Sequence, residues 1–82
     1  MLLDYVNAAM RTAHYELIDD REPYYGELKR CPGVWAKGKS LEECRDRLSD
    51  ALEDWLLISI ARGLPIPAIG KARIALPAPV AV

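Results

Sequence analysis

The chain has 82 residues, 51% of them apolar, and a formal net charge of −1. That length accommodates one core and leaves no room for a second. The near-neutral charge, with cations scattered from Arg11 to Arg73, lacks the basic stripe of a nucleic-acid binder, and no apolar run reaches the roughly 20 residues of a membrane span.

Residues 1–13 read as a short helix, because Leu2, Leu3, Val6, Ala9, Met10 and Ala13 recur at three- and four-residue spacing. So short a helix is marginal alone in water. It must dock on its own sheet or on a neighbouring subunit. His14 to Asp19 reads as a strand, ended by the turn-forming run Asp19-Asp20-Arg21-Glu22-Pro23. Tyr24 to Arg30 then reads as a second strand, antiparallel to the first.

Cys31-Pro32-Gly33 breaks the chain again, since proline fixes φ and glycine permits positive φ. Val34 to Lys37 is expected as a third strand. The two-residue period of strands sorts these side chains onto two faces. Tyr24, Gly26, Leu28, Val34 and Ala36 form the face expected under a helix. Tyr25, Glu27, Lys29, Trp35 and Lys37 form the other, which mixes aromatic groups with both charge signs, as protein-binding surfaces do.

Ser40-Leu41-Glu42-Glu43 has the pattern of a capping box, with Ser40 and Glu43 each bonding the other's amide. It should open a long helix running to about Arg62. Leu41, Cys44, Leu48, Ala51, Leu52, Trp55, Ile58 and the Arg62 stem trace its apolar stripe. Pairs such as Glu43 with Arg47 and Arg47 with Asp50 lace its solvated side. Gly63 suits a left-handed helix end, and Pro65 blocks continuation.

The helix end is apolar nearly all round, and one sheet cannot cover every side of it. Leu56, Leu57 and Ile60 are therefore expected to meet another element or another subunit. Leu64 to Pro67 is an extended connector. Lys71 to Leu76 reads as a final strand that adds Ile74 and Leu76 to the apolar surface left for an oligomer. Residues 77–82 read as a frayed, proline-bearing tail.

No constellation for catalysis is evident. His14 is the sole histidine and has no nucleophile motif beside it. Ser40 is committed to a cap, and neither Ser49 nor Ser59 lies in a GxSxG turn. No glycine-rich phosphate loop occurs. Cys31 and Cys44 lack CxxC spacing and cannot complete a zinc site with one histidine. The expectation is a non-enzyme without cofactor or metal. Its thiols would be reduced, as in a cytoplasmic protein, which agrees with the way Asp4 interrupts any leader-like start.

Two stretches carry a resemblance to a known family. They are Tyr24-Tyr25-Gly26-Glu27-Leu28, and Cys31-Pro32-Gly33-Val34-Trp35-Ala36-Lys37-Gly38-Lys39-Ser40-Leu41-Glu42-Glu43-Cys44, followed after the helix by Gly63 and Pro65-Ile66-Pro67. In this order the motifs resemble the bacterial HicB antitoxin family, over residues 14–76. The resemblance implies a single α+β domain: an antiparallel sheet of three to four strands with one long helix on one face, a degenerate ribonuclease H-like domain without its acidic catalytic residues. The helix of residues 1–13 is an addition to that pattern, with an expected role in oligomerisation.

The family implies a partner, a small basic HicA-type toxin that cleaves RNA and is neutralised when its active surface is covered. Many members add a DNA-binding domain after the core. The residues following the connector are too few for one, so no direct DNA binding is expected. Lys29-Arg30-Cys31 stands where the family often has an aspartate-containing stretch.

Tyr25, Glu27, Lys29, Trp35 and Lys37 are thus the expected partner contacts, with Tyr25 and Trp35 as anchors. Glu27, Glu53 and Asp54 would supply charge complementary to a basic toxin. Leu56, Leu57, Ile60, Ile74 and Leu76 are expected in a homo-oligomer, a dimer or tetramer. The competing readings are a solitary HicB-like oligomer without a toxin, and an enzyme descended from a nuclease fold.

Overall fold

A computed structural model describes residues 2–69. In chain order these form α1 (Leu2–Arg11), β1 (His14–Leu17), β2 (Tyr24–Glu27), β3 (Trp35–Gly38) and α2 (Leu41–Arg62). The class is α+β. The expected final strand and tail, with Ile74 and Leu76, lie outside the described residues.

The three strands form an antiparallel sheet in the order β1-β2-β3. Tyr15, Gly26 and Ala36 stand opposite one another across it, as do Glu16, Tyr25 and Lys37. Both hairpins are closed by backbone bonds. Ile18 donates to the Pro23 carbonyl at 2.8 Å, and Leu28 donates to the Val34 carbonyl at 3.0 Å. The strands stop short of their expected ends for the same reason. The Asp20 amide turns back to the Ile18 carbonyl, and the Cys31 amide to that of Leu28, so residues 18–23 and 28–34 belong to the turns.

The two faces sort as the period predicts. Gly26, Leu28, Val34, Ala36 and Gly38 are buried, and α2 packs over β2 and β3 on that side. Ser40 Oγ accepts the Glu43 amide at 3.1 Å. The Glu43 carboxylate goes instead to Arg47, at 2.7 Å, so one half of the capping box forms. Arg47 also bonds the Lys37 carbonyl at 3.0 Å and pairs with Glu22, thereby tying helix, third strand and first turn together. This cross-element partner stands where the sequence suggests Asp50. At the other end Gly63 adopts φ 65° and donates to Ile60, while Leu64 donates to Ser59. This is the left-handed ending expected of glycine.

The buried ridge of α2 differs from the expected stripe. It runs Cys44, Leu48, Leu52, Leu56 and Ser59, while Leu41 and Ile58 are exposed. Steps of four residues advance the ridge around the helix by about 40° each, so it slants from the sheet toward α1 and the connector. There Leu56 joins a cluster with Tyr5, Val6 and Ile69. Leu56, expected at a subunit interface, is therefore fully buried within its own chain.

The stripe of α1 is likewise rotated. Tyr5, Val6 and the small Ala9 turn inward, and Leu3 faces out. Tyr5 is held by its hydroxyl, which donates to the Pro67 carbonyl and lies 3.8 Å from Cys31 Sγ. The helix thus docks on its own domain, packing against α2.

Candidate protein-binding face

The side of the sheet opposite α2 carries two cross-strand rows: His14, Glu27 and Trp35, then Glu16, Tyr25 and Lys37. Alternation along each strand places them there, and among the described elements α2 and α1 both lie elsewhere. The Tyr25 and Trp35 rings stack, with centroids 6.1 Å apart and planes inclined at 26°. Trp35 remains 52% exposed. A large ring held by stacking yet open to solvent loses little freedom on binding, which suits an anchor.

The surrounding charges are unequal. Tyr25 donates its hydroxyl to the Glu27 carboxylate at 3.2 Å. Desolvation first, then that carboxylate, hold the phenol above its ordinary range, so it stays protonated and keeps donating. Lys37 is spent on Asp20, at 3.1 Å. Asp20 also accepts the Glu22 amide at 3.0 Å. With Lys37 neutralised, Glu16 and Glu27 leave the aromatic pair in a locally acidic setting. Such a surface is complementary to a basic, partly apolar partner.

Of the five expected partner contacts, Tyr25, Glu27, Trp35 and Lys37 come together on this face. Lys29 does not join the ladder: it is exposed in the turn after β2. Glu53 and Asp54 lie on α2, across the sheet from the aromatic pair. His14 and Glu16 belong to the face although the sequence reading omits them. The alternation applied to β1, with the hairpin register, is the signal that finds them.

Leu57 is 60% exposed near the end of α2, with Ile58 exposed beside it and Ile60 partly so. Cys31 and Cys44 are buried free thiols, and burial pushes both above their ordinary pKa, which keeps them poor nucleophiles. No cluster of three or more metal-ligating side chains occurs among the described residues. No described helix is long and apolar enough to cross a membrane.

The chain is similar to the protein of a solved crystal structure, TTHA0281 from Thermus thermophilus. The two share 56% identity, with 94% of this chain and 95% of that chain covered, and superpose with a TM-score of 0.90. No curated protein matches. The UPF0150-like family model matches residues 4–67, which include nearly all of α1, the whole sheet, α2 and the connector, and the chain belongs to that family.

Proposed function

We propose that this chain is a HicB-like antitoxin module of the bacterial cytoplasm, which neutralises a small basic RNA-cleaving toxin of the HicA kind by covering its active surface. The observation that carries the reading is the Tyr25–Trp35 stack, with Tyr25 half-buried and Trp35 exposed, beside Glu16 and Glu27 in the cross-strand rows. Its aromatic groups supply apolar area, and its carboxylates match the cationic surface that an RNA-cleaving protein needs to hold phosphates. The module works by occlusion and contributes no catalytic group of its own.

The test is capture of the tagged chain from its native cells, followed by an RNA-cleavage assay on whatever small basic protein is recovered. Inhibition of that cleavage by equimolar chain is expected. Recovery of the chain alone, from cells shown to express it, would instead favour a solitary HicB-like oligomer.

A further inference from the structure

Glu27 and Trp35 are direct partners across β2 and β3. Leu28 donates to Val34, the next pair in the same register, at 3.0 Å. Antiparallel ladders alternate hydrogen-bonded with non-hydrogen-bonded pairs, so Glu27 and Trp35 form a pair of the second kind. Side chains approach each other most closely in such pairs. The Glu27 carboxylate is therefore held beside the Trp35 indole.

Two further contacts shape this pair. Tyr25 Oη donates to Glu27 Oε2 at 3.2 Å, which restrains the carboxylate and leaves Oε1 for another donor. The Tyr25 ring stacks on Trp35 with centroids 6.1 Å apart. At that separation the rings are offset, so Tyr25 covers only part of the indole, which stays 52% exposed. The rows His14-Glu27-Trp35 and Glu16-Tyr25-Lys37 contain one lysine and no arginine. That lysine, Lys37, is turned to Asp20 at 3.1 Å. Glu16 adds a second carboxylate opposite Tyr25. The site thus sets an open π face beside an oriented anion whose cation must come from elsewhere.

We propose that Trp35, Glu27 and Tyr25 form a receptor for a single arginine side chain displayed by the basic partner. The inference deepens the antitoxin reading and rests on it for the partner's charge. A guanidinium is flat, so it can lie on the exposed indole while its edge donates to Glu27 Oε1. Tryptophan is the ring that attracts cations most strongly, and guanidinium–carboxylate bonds are charge-assisted. A lysine ammonium is a compact, strongly hydrated point charge and gains less from the stack. The receptor therefore reads the shape of the side chain as well as its charge. Tyr25 lowers the cost of binding by fixing both the ring and the carboxylate before the arginine arrives.

The test is titration of the full chain with acetyl-Gly-Arg-Gly-amide and with its lysine and citrulline counterparts, read by NMR at the Trp35 indole N–H. Trp35→Phe assigns that signal, and Trp55, packed against the core, is the internal reference. The arginine peptide should shift Trp35 saturably, with a Kd in the millimolar range, and leave Trp55 unmoved. The lysine and citrulline peptides should bind at least about fivefold more weakly. Glu27→Gln keeps an acceptor for Tyr25 and removes the charge, so it should weaken the arginine peptide by about tenfold. Asp46→Asn, at an exposed acid of α2, should leave binding unchanged. Lysine or citrulline peptides that bind as tightly as arginine would overturn the proposal, as would the absence of a saturable Trp35 shift. Tighter binding of tetramethylammonium than of guanidinium would overturn it too, because an aromatic surface alone would then suffice. The peptide comparison is made on the wild-type chain and needs no variant to fold. Toxin capture without any arginine preference would sink the receptor and leave the antitoxin reading standing. Arginine preference with no toxin recovered would do the reverse.

Discussion

Gly38 meets Cys44 backbone to backbone: a Cβ built on Gly38 would lie 2.4 Å from the Cys44 amide nitrogen. The first turn of α2 is pressed onto the end of β3, and only hydrogen at this position permits that approach. Gly38→Ala is expected to destabilise the fold by about 3 kcal/mol or more, because backbone must shift to relieve it. At Gly26 the added atom would instead meet the Tyr15 ring at 2.9 Å. A ring can move more readily than a main chain, so Gly26→Ala should cost less. Urea midpoints of the two variants check the order.

The slanted ridge of α2 predicts which leucines matter. Leu52 and Leu56 are fully buried, and Ile58 is 51% exposed. Leu52→Ala and Leu56→Ala should each cost about 2–5 kcal/mol. Ile58→Ala should cost less than about 1 kcal/mol. Equal losses at Leu56 and Ile58 in denaturant titrations would mean that the helix is rotated from the position described.

Stability should decline at both ends of the pH range, for identifiable groups. The Asp20 carboxyl is held below its ordinary 3.8 by the Glu22 amide first and Lys37 second. A depressed pKa stabilises the fold above the ordinary value and ceases to do so as pH falls through the folded one. Asp20→Asn should flatten the acid limb of a stability profile below about pH 4. Tyr5 is the opposite case. Burial first, then its bond to Cys31, push its phenol well above the ordinary 10.0. Its contribution is complete below that value and is lost as pH rises beyond it, because only the unfolded chain ionises freely. Tyr5→Phe should flatten the alkaline limb, which begins near pH 9 with the raised thiols of Cys31 and Cys44.

Much of this fold is legible in local signals. Ser40, Gly63 and the alternation through Gly26, Leu28, Val34 and Ala36 are one-dimensional features, and the helix bounds and sheet faces follow from them. The misread positions depend on a third element. A helical period alone makes Ile58 a core residue and Leu56 a surface one. The order reverses because α1 and the connector cover α2 from the side. Tyr5 goes inward because its hydroxyl finds Pro67, 62 residues away. Arg47 pairs with Glu22 across 25 residues, where the sequence suggests a neighbour on its own helix. The candidate face is half legible. Strand period finds Tyr25, Glu27 and Trp35, but hairpin register is needed to add Glu16 and His14, and to place Lys29 in a turn.

We propose that the open sheet face holds a toxic RNA-cleaving partner through Tyr25 and Trp35. It is tested most directly by growth of cells that express the captured partner together with this chain, either wild type or Tyr25→Ala/Trp35→Ala. Trp35 is half exposed, so the double variant should remain folded by circular dichroism. It should bind its partner at least about thirtyfold more weakly, the loss expected for a hot-spot residue. Growth is expected with the wild-type chain and arrest with the folded double variant. Equal growth with both would contradict it and place the binding surface elsewhere on the chain.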